Sequence, residues 1–269
     1  MPLYIRTALK VAALSLFLGG SALADLAAGQ EALKSGDYAR ALGEFLPLAK
    51  QGNAVAQFKL GLMYSEGKGV PQDDEEAVQW YRRAAAQRNA SAEGNLGGMY
   101  TEGRGVSKDD KEAMRWFRLA AEQNDDPDAS AAAQGNLGVM YKNGQGTQRD
   151  DEEAVRWFRL GADHGNPHAQ FCLGSSYYDG EGVPQDYVRA YMWFNLAAAS
   201  GDAKGTEWRA IVTAKMTPDQ IAEAQHLARE WKPQTSHPIV QPSGMVDWHQ
   251  LLSTTAATWA LVLLTLGLV

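Results

Sequence analysis

Between Gly52 and Arg88 the apolar positions fall into two helical registers separated by a glycine-rich break. Ala56, Leu60 and Tyr64 lie four residues apart, with Gln57, Gly61 and Ser65 beside them. This is the 3.6-residue period of a helix, not the alternation of a strand, and it predicts a first helix (A) over Ala54–Tyr64. After Gly67-Lys68-Gly69-Val70, the residues Ala77, Trp80, Tyr81 and Ala84 form the apolar face of a second helix (B) that starts near Asp73. Small and large residues at that spacing let two antiparallel helices interlock.

The pattern is copied three more times. Leu60 is echoed by Leu96, Leu137 and Leu173, at steps of 36, 41 and 36 residues. A fixed period of this length signals a solenoid. Gly61 returns as Gly97, Gly138 and Gly174. A glycine inside a helix costs about 1 kcal/mol relative to alanine. Its recurrence predicts close approach of helix B of the same unit, with no room for a Cβ. The paired-glycine loop returns at Gly103–Val106, Gly144–Thr147 and Gly180–Val183. It follows a helix and lacks the lysine and hydroxyl of a phosphate-binding loop, so its glycines are read as positive-φ turn positions.

The chemistry in each unit has a structural explanation. Asp73 with Glu76, Asp109 with Glu112 and Asp150 with Glu153 have capping-box spacing, whereas Asp186 is followed by Arg189. The extra acids at these helix starts suit the positive end of the helix dipole, not a metal or a glycosidase pair. The tryptophans Trp80, Trp116, Trp157 and Trp193 read as wedges between helices, and Arg82, Arg118 and Arg159 as surface ion-pair residues. The five-residue excess at Asn124–Asp128 reads as a solvent loop, with Pro127 ending one helix and Asp128 or Ser130 capping the next. No residue is assigned a catalytic, cofactor-binding or metal-binding role, and no cofactor is expected.

The flanks differ from the repeats. Residues 25–51 read as an N-terminal capping helix pair, and 52–88, 89–124, 125–164 and 165–201 as the repeats. Residues 202–231 read as C-terminal capping helices, with Thr217 as a cap and Pro218 in the first turn, and 232–250 as a proline-bearing linker. Residues 1–24 read as a signal peptide: Arg6 and Lys10, an apolar run, then Ala22-Leu23-Ala24. The net charge is −7, and removing Arg6 and Lys10 would make it −9, which argues against nucleic acid as a partner. From Leu251 the last 19 residues are apolar enough to read as a membrane anchor, as a helix packed on the solenoid end, or as a tail that docks into another protein. Cys172 is the single cysteine, so an intrachain disulfide is excluded; it reads as a packed structural thiol.

Ala56, Leu60, Gly61, Tyr64, Gly67, Gly69, Val70, Asp73, Ala77, Trp80, Ala84 and Ala85, with their counterparts, resemble the Sel1-like repeat, a relative of the tetratricopeptide repeat. The resemblance implies an all-α fold, a right-handed α/α superhelical solenoid, and a non-catalytic adaptor. It implies a peptide or protein partner, bound along a concave groove built by helices A. Together with the flanks it suggests the periplasm of a bacterium, with inner-membrane association through the tail. A peptidoglycan-associated binding module is the alternative. Cysteine-rich relatives resemble β-lactamases, but Cys172 alone does not supply their disulfides.

Overall fold

The computed structural model describes residues 25–123 and 126–234; the signal-like segment, the junction residues Asn124 and Asp125, the last part of the linker and the apolar tail lie outside the described residues. Among the described residues there are twelve α-helices and no strand. Helix α1 covers residues 25–35 and pairs with α2 (Tyr38–Lys50). Four hairpins follow: α3 (Ala54–Glu66) with α4 (Asp74–Ala85), α5 (Ala90–Glu102) with α6 (Asp110–Ala121), α7 (Pro127–Asn143) with α8 (Asp151–Asp163), and α9 (Pro167–Asp179) with α10 (Tyr187–Ala199). Helices α11 (Ala203–Thr213) and α12 (Pro218–Glu230) both pack on α10. The chain is an all-α solenoid of tandem helix hairpins, each packed on the next.

Within a unit, an aromatic ring of helix B lies on the glycine of helix A. A Cβ on Gly97 would sit 2.7 Å from two ring carbons of Phe117, and Gly61, Gly138 and Gly174 meet Tyr81, Phe158 and Phe194 in the same way. The recurring glycine therefore makes room for a ring. Between units, the tryptophan one position earlier does the packing. Trp80 joins Ala41, Phe45 and Leu48 of the preceding helix pair, and Trp157 joins Leu137, Ala113 and Phe117. Burying such side chains contributes about 1.5–3 kcal/mol each. Trp80, Trp157 and Trp193 are buried; Trp116 is half-buried.

The loops join neighbours too. Gly103 ends α5 with φ +73°, and Gly105, with φ +65°, faces the first residues of α4. A Cβ on Gly105 would strike the Asp74 carbonyl of the preceding unit. The second glycine is thus both a turn residue and the point of closest backbone contact between units.

Three polar rows run along the stack. Arg82, Arg118 and Arg159 each donate to a tyrosine hydroxyl of the next unit: Tyr100 at 2.8 Å, Tyr141 at 2.9 Å and Tyr177 at 2.5 Å. They are not the surface ion-pair residues expected from their spacing. Gln57, Gln134 and Gln170 are buried in helices A and donate backward to the Ala49, Ala121 and Ala162 carbonyls. Gln57 also accepts from Gln87, so this row links α2, α3 and the turn that follows α4. Glu93 holds the same place in α5, 2 % exposed, and accepts from Gln123 at 3.2 Å. Ion pairs form a third row, in which Arg104 reaches back to Asp74 at 2.6 Å and Arg149 and Lys142 hold Glu181.

The helix starts correct one expectation. Asp73, Asp109, Asp150 and Asp186 each accept from the amide three residues on. Their own amides donate to Tyr64, Tyr100, Tyr141 and Tyr177 carbonyls of helix A. The reciprocal half of a capping box has no donor left, so Arg189 is no exception to its three counterparts. The full box forms at Thr217 and Gln220. At the insertion, Asp126 is the cap, accepting from Ala129, and Pro127 opens α7. Ser130 is instead buried and donates to the Ala121 carbonyl at 2.8 Å. Part of the excess is spent on helix: α7 has 17 residues where α5 has 13.

Candidate interaction face

Helices A and B divide the surface by charge. The exposed side of the first three B helices carries acids in the first turn and arginines after it, as in Asp74-Glu75-Glu76 and Arg82-Arg83 of α4. The outward positions of the A helices are different. In α3 they are Val55, Phe58, Lys59 and Leu62, and in α5 Ser91, Gly94, Asn95 and Gly98. In α7, Ala132, Asn136 and Val139 hold them, and in α9 His168, Phe171, Cys172 and Ser175. Apart from Lys59 and the titratable His168, this face has no ionisable side chain stronger than a thiol across its middle turns.

Two of its residues have no packing role. A Cβ on Gly94 or Gly98 would meet nothing within 4 Å. Each glycine costs α5 about 1 kcal/mol of helix propensity. Gly97, one residue before Gly98, is by contrast filled by Phe117. Sequence reasoning marked Gly97 by its recurrence but did not single out Gly94 or Gly98. The signal for them is that they are not glycine in every unit: Phe58 and Phe171 stand at the Gly94 position, and Leu62, Val139 and Ser175 at the Gly98 position. Asn95 and Asn136 occupy equivalent places beside these glycines and were also not singled out; their 41-residue separation matches that of Leu96 and Leu137.

Cys172 lies on this face, half-buried, with its Sγ 3.7 Å from His168 Nε2. Burial pushes the thiol up to about 12 and holds the imidazole below its ordinary value, so both are neutral at pH 7. The packed-thiol reading stands, but with a histidine neighbour one turn away. Among the described residues no group of three His, Cys, Asp or Glu side chains is placed to hold a metal ion. No helix among them is long and apolar enough to cross a membrane.

The model of the Sel1 repeat matches residues 54–89, 90–125, 131–166 and 167–202, more than half of the chain. The chain belongs to the Sel1 repeat family. It is similar to a Sel1 repeat protein from Oxalobacter formigenes, with 34% identity, 77% of this chain and 85% of that one covered, and a TM-score of 0.61. A protective antigen of uropathogenic Escherichia coli with the same repeat fold is 28% identical over 77% of this chain and 54% of its own, with a TM-score of 0.45. A Sel1 repeat protein from Klebsiella pneumoniae is 23% identical over 72% of this chain and 94% of its own, with a TM-score of 0.50. Among curated proteins no relative matches the chain. Sel1-repeat proteins generally act as non-catalytic scaffolds that bind protein or peptide partners.

Proposed function

We propose that this Sel1-repeat protein is an adaptor of the bacterial cell envelope that binds a peptide or protein along the outward face of its A helices. The observation that supports this reading is the face itself. Solenoids use the extended surface left by stacking as a binding surface. Here that surface is nearly uncharged, offers Asn95 and Asn136 for hydrogen bonding, and keeps Gly94 and Gly98 where packing does not ask for them. Glycines that cost helix stability and fill no contact suit the close approach of another backbone. The leader-like start and apolar end of the sequence support action outside the cytoplasm, at the outer face of the inner membrane, with the tail as anchor.

Affinity capture from detergent-solubilised membranes tests this. Full-length protein should retain a specific partner. Gly98→Lys, which adds a long side chain where there is open space, should lose it, whereas Arg83→Glu on the B side should not. Loss with Arg83→Glu and retention with Gly98→Lys would assign binding to the other face. A second capture with a chain ending at Trp231 tests the tail: the partner should remain bound while membrane association is lost.

A further inference from the structure

The last unit departs from the other three where the end of its helix A meets the start of its helix B. Tyr178 stands where the earlier units have Ser65, Thr101 and Lys142, and Tyr187 where they have Asp74, Asp110 and Asp151. The two rings lie 5.6 Å apart, and Trp208 of α11 meets Tyr178 edge-on at 5.4 Å. All three are half-buried. Repetition explains the rest of the unit but not this aromatic wall.

Two lysines border it. Lys204, Trp208, Ile211 and Lys215 recur at helical spacing, along one side of α11 and the turn that follows it. Ile211 is 39 % exposed, one of two large apolar residues so open among the described residues. The Lys215 ammonium lies 4.9 Å from the Tyr178 ring centre and 5.6 Å from that of Tyr187, and Lys204 lies 5.9 Å from that of Phe171. Both lysines are exposed, and among the described residues no carboxylate is within ion-pair distance of either. Asp202, on the same loop, spends its carboxylate on the Gly205 amide at 2.7 Å.

We propose that Tyr178, Tyr187, Trp208, Ile211, Lys204 and Lys215 form the docking point for an acidic segment of the partner protein. Partner carboxylates bind the two ammonium groups, and an aromatic or aliphatic side chain between them lies on Trp208 and Ile211. Aromatic residues edged by cations are the usual anchors of an interface, and charge complementarity selects the partner. The proposal rests on the scaffold reading above and adds the partner's chemistry and the end at which it is held.

The probe is a fluorescein-labelled ten-residue peptide of alternating glutamate and phenylalanine, with a lysine–phenylalanine peptide as its counterpart. Anisotropy with the full-length protein in mild detergent should show saturable binding of the acidic peptide and none of the basic one. The double variant K204E/K215E should weaken binding about tenfold or more, as expected for two exposed ion pairs turned repulsive. Arg83→Glu, on the B side, should change it less than about twofold. Raising salt from ~50 to ~500 mM should weaken the wild-type complex. Equal binding of both peptides, no binding of the acidic one, or an unchanged K204E/K215E would overturn the proposal. Cellular capture separates the two readings. If K204E/K215E keeps the partner that Gly98→Lys loses, the docking point is wrong and the scaffold reading stands; if both keep it, both fail.

Discussion

Gly97 and Gly98 are neighbours in α5, and their substitution by alanine should act in opposite directions. Alanine gains about 1 kcal/mol over glycine in a helix interior. At Gly98 nothing opposes this, since a Cβ there meets no atom within 4 Å. Gly98→Ala should therefore stabilise by about 1 kcal/mol, raising the melting temperature by roughly 2–4 °C in a chain of this size. At Gly97 the same Cβ would lie 2.7, 2.7 and 2.9 Å from three ring carbons of Phe117. That ring is 4 % exposed and is packed among Ala113, Ala133, Leu137 and Trp157. Overpacking costs about 1–3 kcal/mol, and three simultaneous clashes place this case in the upper half. Subtracting the propensity gain leaves Gly97→Ala destabilised by about 1–2 kcal/mol, so the two variants should differ by about 2–3 kcal/mol. Chemical denaturation followed by circular dichroism at the helix band measures both. Equal stabilisation by the two alanines would refute the ring-on-glycine account.

Arg88 is the one non-glycine with positive φ among the described residues, at +61°, where other units have Gly52, Gly165 and Gly201. Arg88→Gly should stabilise by about 1 kcal/mol in the same denaturation assay. Asp109 caps α6 through the Lys111 and Glu112 amides, so Asp109→Ala should cost about 1 kcal/mol. The Cys172 thiol, held up to about 12, should be alkylated by iodoacetamide at pH 8 far more slowly than in denaturant, with a thiolate fraction lower by roughly a thousandfold; mass spectrometry of the time course reads this. The linkage has a definite sign. The unfolded thiol loses its proton first, so Cys172 should contribute a loss of stability as pH rises from about 9 toward 12, seen as a steeper decline than in Cys172→Ala.

The hairpins were legible because each was written four times. Leu60 and its echoes mark helix A, Trp80 and its echoes mark helix B, and the glycines mark the turn between them. What the sequence hid lies in contacts between elements. The capping-box spacing at Asp73 and Glu76 is present, yet the Asp73 amide is already committed to the Tyr64 carbonyl. No local pattern shows that competition. Likewise, the spacing of Arg82 suits a surface ion pair, and only the stacking of α4 on α5 brings it to the Tyr100 hydroxyl. At the insertion, Asp126, Asp128 and Ser130 all have capping side chains. The choice fell on Asp126 because Pro127 suits the first helical position, where its missing N–H costs nothing. The candidate face was the least legible part. Recurrence marks Gly97 as a packing position, but it does not show that Gly94 and Gly98 face open space.

Site-specific photocrosslinking in intact cells tests the binding face most directly. A photoreactive residue at Asn95 or Asn136 on the A helices, compared with one at Arg83 or Arg156 on the B helices, reports which side meets another protein. The predicted result is the same crosslinked partner from both A positions and none from either B position. Crosslinks confined to the B positions, or absent from all four under every growth condition, would contradict the account.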